Sequence, residues 1–331
     1  MTFDPTTVGG KLLQHGAGET WDFGWIPPDV RYAFMHEADA EALAEMPRFQ
    51  IAGTSAPGDK VCIWDCWKHP TVLAANGGKV YPGTRQVTGS CVGVGGGNTV
   101  YALSAVEVAR LNDPEMALIP FWPIPYGRSR FYAGMRGRGE GSMGSTFAKA
   151  VRVDGVVEAR LPGLPPWDEQ DALCWGREAE LEWSAGDRIS AEWLAKSRKH
   201  LVQQTAAISN ADDLREAIRN YYPCSFAGDW GGMMECRTAG TPPVLLNERR
   251  GTWNHQQSVH GWWDHPELGE LFYVLNQWGM RTHGTCPSGA PPGGYWIKKK
   301  DAEYQCRNGE VFAFSQFQGF PAQDIEISWL I

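Results

Sequence analysis

Apolar positions recur three and four apart from Asn98 to Leu111 in N-T-V-Y-A-L-S-A-V-E-V-A-R-L, the spacing of a helix buried on most of its faces. Shorter helical patterns cover H-E-A-D-A-E-A-L-A-E-M (36–46), S-T-F-A-K-A-V-R-V (145–153), S-A-E-W-L-A-K-S-R-K-H-L-V-Q-Q (190–204) and D-D-L-R-E-A-I-R-N (212–220). Asn210 or Asp212 is the expected N-cap of the last. Beyond Tyr222 the pattern changes to short apolar segments broken by Gly, Pro and Asn, including L-F-Y-V-L (271–275), Y-W-I-K (295–298) and V-F-A-F-S (311–315). These read as strands. Helices first and strands after predict an α+β arrangement of two lobes, with a cleft between them as the place for a site.

Composition narrows the partners. The chain has 331 residues, 43% hydrophobic and 21% charged, enough for a large core. Its 30 Lys and Arg stand against 38 Asp and Glu, a formal charge of −8, which speaks against nucleic acid as a partner. No run of about 18 apolar residues marks a membrane span. The start, M-T-F-D-P-T-T-V-G-G-K-L-L-Q-H, lacks a basic region followed by an apolar one. The expectation is therefore no signal peptide and a cytoplasmic or virion-associated protein. Sixteen tryptophans and 39 glycines indicate a loop-rich chain. Eight cysteines, at 62, 66, 91, 174, 224, 236, 286 and 306, show no paired spacing and read as reduced.

One of them stands in a chemically suggestive setting. In T-R-Q-V-T-G-S-C-V-G-V-G-G-G-N (84–98), Cys91 follows Gln86 by five positions and precedes the helical pattern. A thiol becomes a nucleophile where a helix N-terminus and an imidazolium stabilise its thiolate. Glycines at 93, 95, 96 and 97 argue against a helix starting at once, since each costs roughly 1 kcal/mol relative to Ala in a helix interior. The other members of a thiol triad, an imidazole and a group that orients it, occur later in the order His then Asn: T-W-N-H-Q-Q-S-V-H-G-W-W (252–263), then L-F-Y-V-L-N-Q-W-G (271–279).

These segments, in this order, resemble the papain-like cysteine peptidases, as a divergent member of phage or bacterial type. R-Q-V-T-G-S-C is similar to the family's Q-G-x-C-G-S-C segment. S-A-V-E (104–107) and G-S-M-G-S-T-F-A-K-A-V-R-V-D-G-V-V (141–157) resemble the stretches that follow it, N-H-Q-Q-S-V-H-G-W (254–262) its histidine strand, V-L-N-Q-W-G (274–279) its asparagine strand, and P-G-G-Y-W-I-K (292–298) the strand after that. The resemblance implies a papain-like two-lobed α+β fold, with a helical lobe (about 81–220) whose central helix carries the cysteine, and a β-barrel-like lobe (about 221–331). Residues 1–80 would be an extension packed on that core or docking beside it. It implies Cys91 as nucleophile, His255 as base, Asn276 as the group orienting the imidazole, Trp278 as its shield, and Gln86 as oxyanion donor with the Cys91 N–H. His260 is the alternative base. If 255–263 is a strand, two histidines at odd separation face opposite ways and one of them can meet Cys91. The chain departs from the family at Gln86, which is one position nearer the cysteine than usual, at Val92 in place of an aromatic residue, and at Gln277 in place of serine.

Other clusters read more plainly. Cys62, Cys66 and His69 have metal-like spacing but lack a fourth ligand, so no metal is assigned, and the resemblance implies no cofactor. His265 and His283 lie in loop-like stretches and read as solvated, and E-A-E-L-E-W (178–183) as an exposed acidic face. Two function classes follow. One is a thiol peptidase or amide hydrolase acting on a peptide or protein substrate. The other is a non-catalytic papain-fold protein that joins a larger assembly, such as a phage virion, through residues 1–80.

Overall fold

A computed structural model describes residues 13–15, 19–21, 24–51, 58–80, 83–114, 117–167, 174–186, 188–287, 289–316, 319–323 and 325. The opening stretch 1–12 lies outside the described residues. A short hairpin, β1 (Leu13–His15) with β2 (Glu19–Trp21), precedes α1 (Ala33–Ala44). Strand β3 (Lys60–Cys62), a 3-10 turn (Ile63–Lys68) and α2 (Pro70–Ala75) follow. The helical lobe is built from α3 (Cys91–Leu111), α4 (Pro123–Tyr132), α5 (Gly144–Val153), α6 (Arg177–Ser184) and α7 (Ala191–Ser197). Then come β4 (Gln204–Ala207), α8 (Ala211–Arg219), β5 (Cys224–Trp230), β6 (Arg237–Ala239), β7 (Val244–Leu246), β8 (Thr252–His265), β9 (Gly269–Leu275), β10 (Gly294–Lys298), α9 (Lys299–Asn308) and β11 (Glu310–Ser315).

Apart from the β1–β2 hairpin, the strands form one sheet in the order β4-β11-β5-β8-β9-β10-β7-β6, with β3 added on β8. Pairing is antiparallel apart from β10 with β7. The long strand β8 is the hub: it pairs with β5, β9 and β3, and α3 packs across it. Two lobes thus meet at the seam between α3 and β8. Asn210 accepts the Asp213 N–H at 2.8 Å as N-cap of α8, with Asp212 and Asp213 beside the positive end of its dipole. Asn112, at φ 53°, closes α3 in the left-handed conformation.

One expectation needs correction. Helix α3 begins at Cys91 itself, and its glycines are part of it. A Cβ on Gly93 would lie 2.6 Å from the Tyr126 Cβ, on Gly95 2.9 Å from the Gln256 carbonyl, on Gly96 2.1 Å from the Phe147 ring and on Gly97 2.7 Å from the Trp122 Cβ. Close approach by four neighbours outweighs glycine's low helix propensity. Residues 60–75, within the stretch expected to pack on or dock beside the core, do pack against it. Strand β3 is hydrogen-bonded to β8, and Trp64, Cys66, Trp67 and Val72 are buried in the same cluster as Cys91 and Val92.

Candidate active site

Cys91 is the first residue of α3, where the backbone N–H groups of the opening turn face outward and the helix dipole favours negative charge. The approach to it is held from three sides. Tyr126 Oη donates to the Gly89 carbonyl at 2.9 Å, Glu140 accepts the Gly89 N–H, and Glu180 accepts from Thr88 Oγ1 at 2.9 Å and from the Val87 N–H at 3.4 Å. Strand β8 comes in alongside, and the Gln256 N–H donates to Cys91 Sγ at 3.3 Å. The preceding residue, His255, lies with its Nε2 2.9 Å from Asn276 Oδ1, and the Trp278 ring stacks on the imidazole at 4.5 Å between centroids and 27° between planes. Asn276 follows the last residue of β9, just beyond the β8–β9 pair Ser258 with Leu275, and its side chain reaches His255.

The structure therefore brings His255, Asn276 and Trp278 into contact, and ties the Cys91 sulfur to the Gln256 N–H, next in the chain to His255. Gln86 is close in sequence but engaged elsewhere, its Nε2 donating to the Thr88 carbonyl at 2.9 Å. His260 has no contact with Asn276. Its ring meets the edge of Trp67 at 5.6 Å, and its two nitrogens have no hydrogen-bond partner among the described residues. His69 Nδ1 accepts the Thr71 N–H as cap of α2, and among the described residues no group of three or more His, Cys, Asp or Glu is placed to hold a metal. No helix among them is long and apolar enough to cross a membrane.

The thiol is covered. The Gly24 N–H donates to Cys91 Sγ at 3.2 Å, the Trp25 N–H to the Asn254 carbonyl at 3.3 Å, and Gly24 and Ile26 bracket Ser142 with hydrogen bonds of 2.9 and 3.0 Å. A Cβ at Gly24 would stand 1.9 Å from the Gly89 carbonyl oxygen, so this close passage admits only glycine. Glu310, at the start of β11, ties the segment down by accepting from Trp25 Nε1 at 2.8 Å and from Arg31 at 2.5 Å, while Arg31 also pairs with Asp39 at 2.6 Å. Cys91 is 0% and His255 3% exposed. Burial pushes the Cys91 thiol up to about 12, against the opposing pull of the backbone N–H groups around it, and pushes His255 down to about 3. With the segment in place both groups are neutral at pH 7.

Three residues are placed otherwise than the sequence suggests. His283 is fully buried and within 2.7 Å of Asn276, and His265 is buried with its Nε2 on the Pro242 carbonyl at 2.8 Å; neither is solvated. Glu180 of the supposed exposed face is 0% exposed, and burial raises its carboxyl to about 8. A helix turns 200° between alternate residues, so Glu180 opposes Glu178 and Glu182, a signal the sequence did contain. The raised carboxyl predicts a pH effect. Its contribution to stability is complete below its unfolded value near 4.5 and is lost as pH rises through about 8. Glu180→Gln should therefore flatten the fall in thermal midpoint between pH 5 and 8, and an unchanged fall would remove Glu180 as its cause.

Two solved structures match nearly the whole chain. Xylellain, a cysteine protease from Xylella fastidiosa, is 15% identical over 94% of this chain and 97% of its own, with a TM-score of 0.52. Procathepsin B S9 from Trypanosoma congolense is 10% identical over 94% of each chain, with a TM-score of 0.53. At these identities the likeness establishes the fold, the papain-like two-lobed α+β arrangement. Neither a family model nor a curated protein matches the sequence.

Proposed function

We propose that the chain is a papain-like cysteine peptidase or amide hydrolase held latent by residues 24–31. The observation that carries the reading is the His255 Nε2 to Asn276 Oδ1 hydrogen bond of 2.9 Å under the Trp278 ring, with the neighbouring Gln256 N–H on the Cys91 sulfur. Once the segment is displaced, water and substrate dipoles remove the burial that keeps Cys91 and His255 neutral. The Cys91 proton passes to His255, and the thiolate attacks the amide carbonyl carbon. The tetrahedral oxyanion meets the Cys91 N–H at the start of α3, with Gln86 as second donor after its amide leaves the Thr88 carbonyl. The intermediate collapses as the imidazolium gives its proton to the leaving amine. Water, deprotonated by His255, then releases the acyl group and restores the thiol. Asn276 holds the imidazole through both proton transfers, and Trp278 keeps water from that hydrogen bond.

The alternative, a non-catalytic papain-fold component of an assembly such as a virion, draws on the complete burial of Cys91. Epoxide labelling followed by intact mass separates the two. A single adduct on Cys91, absent in Cys91→Ala and slowed on the order of 10²-fold in His255→Ala, is expected. Labelling indifferent to His255, or none in either the full chain or a chain lacking residues 1–31, would favour the non-catalytic protein.

A further inference from the structure

We infer that His283 is a positioning residue of this site: it sets which way round the Asn276 amide faces, and through it which nitrogen of His255 carries the proton. The inference rests on the peptidase reading for its purpose, though not for its geometry. His283 Nδ1 lies 2.9 Å from the Met234 carbonyl oxygen, which can only accept, so Nδ1 carries the hydrogen. The ring is 0% exposed, enclosed by Tyr295 at 4.7 Å, Trp278 at 6.1 Å and Trp253 at 6.3 Å between centroids, and such surroundings hold it neutral. Its Nε2 is then a bare acceptor, and it stands 2.7 Å from Asn276 Nδ2.

That contact orients the amide with nitrogen toward His283 and oxygen toward His255. A second anchor agrees: the Gln277 backbone N–H donates to Asn276 Oδ1 at 2.8 Å, and an N–H donor requires oxygen there. With Oδ1 2.9 Å from His255 Nε2, that nitrogen must be the protonated one. His255 Nδ1 is left as the basic nitrogen, the one a general base needs for the Cys91 proton. One backbone carbonyl thus propagates its polarity through His283 to Asn276, acting in the same direction as the Gln277 N–H, and so to His255. His283 itself is held by the backbone, its carbonyl accepting the Cys236 N–H at 3.2 Å.

The test reads tautomers directly on the full chain. Ring-nitrogen NMR of histidine-labelled protein, assigned by single substitutions, should show His283 as the Nδ1–H form and His255 as the Nε2–H form. His283→Phe keeps the ring volume inside the aromatic enclosure and removes both nitrogens. It should cost His255 its single Nε2–H signature and slow Cys91 labelling roughly tenfold, the worth of about one net hydrogen bond. His283→Gln, which returns an acceptor toward Asn276, should recover most of both. An Nε2–H form of His283 in the unaltered chain, or an unchanged His255 signature in the Phe variant, would overturn the assignment. Should the Phe variant not fold, the unaltered chain and the Gln variant decide. The expected tautomers in a chain whose Cys91 never labels, even without residues 1–31, would sink the peptidase reading and leave the positioning intact.

Discussion

Removing residues 1–31 is expected to raise the rate of Cys91 alkylation at pH 7 by roughly 10²-fold over the full chain. The segment's hold can be summed from its contacts. Three backbone hydrogen bonds, from Trp25 to Asn254 and between Ser142 and its flanking partners Gly24 and Ile26, contribute about 1 kcal/mol each after exchange with water. Burial of the Trp25 ring and the paired contacts of Arg31 add to this, and the ordering of the segment offsets much of that addition. About 3 kcal/mol remains, which leaves on the order of 1% of chains open. The chemistry of the thiol adds to the effect, because burial is the largest cause of both the raised Cys91 and the lowered His255. The same logic applies to the anchor. Arg31→Met should speed alkylation by a smaller factor than the deletion, since it breaks the contacts to Asp39 and Glu310 but leaves the backbone bonds in place. Equal rates in the full and shortened chains would show that the segment does not limit access.

Much of this arrangement is legible in the amino-acid sequence. The strands after Tyr222 follow from local patterns, which survive because each element obeys its own periodicity, whereas Cys91, His255 and Asn276 are singled out by the resemblance of their segments to a family. What escapes such patterns is whatever depends on contact. The start of α3 is obscured by four glycines, whose role is visible only when Tyr126, Gln256, Phe147 and Trp122 are seen against them. His283 lies in R-T-H-G-T-C, a loop without periodicity, so its burial beside Asn276 has no sequence signature. Arg31 and Glu310 are 279 positions apart, and nothing local ties them. Gly24 in W-D-F-G-W-I is one glycine among 39, and only the Gly89 carbonyl 1.9 Å from a would-be Cβ shows why it is there.

The glycine run of α3 carries the second large effect. Gly96→Ala should destabilise the protein by about 2 kcal/mol, although alanine is the better helix former. The propensity gain is about 1 kcal/mol. Against it, the new Cβ would stand 2.1 Å from Phe147 Cε1, 2.5 Å from Cδ1 and 2.6 Å from Cζ, and Phe147 is 0% exposed in α5 with no room to retreat. Overpacking of this kind costs about 3 kcal/mol where neighbours are rigid. Phe147→Leu alone should also destabilise, through the space it leaves. The pair Gly96→Ala with Phe147→Leu should then be less unstable than the sum of the two by about 1 kcal/mol or more, on the order of couplings seen for touching residues. Denaturant midpoints with unchanged slopes would measure it. The consequence reaches the site, because α5 begins at Gly144, whose N–H donates to Glu310 at 2.7 Å, the carboxylate that also holds Trp25 and Arg31. Loosening α3 against α5 should therefore speed Cys91 alkylation in Gly96→Ala and restore it toward the original rate in the double variant. Additive stabilities would mean that the Phe147 ring is not what Gly96 makes room for.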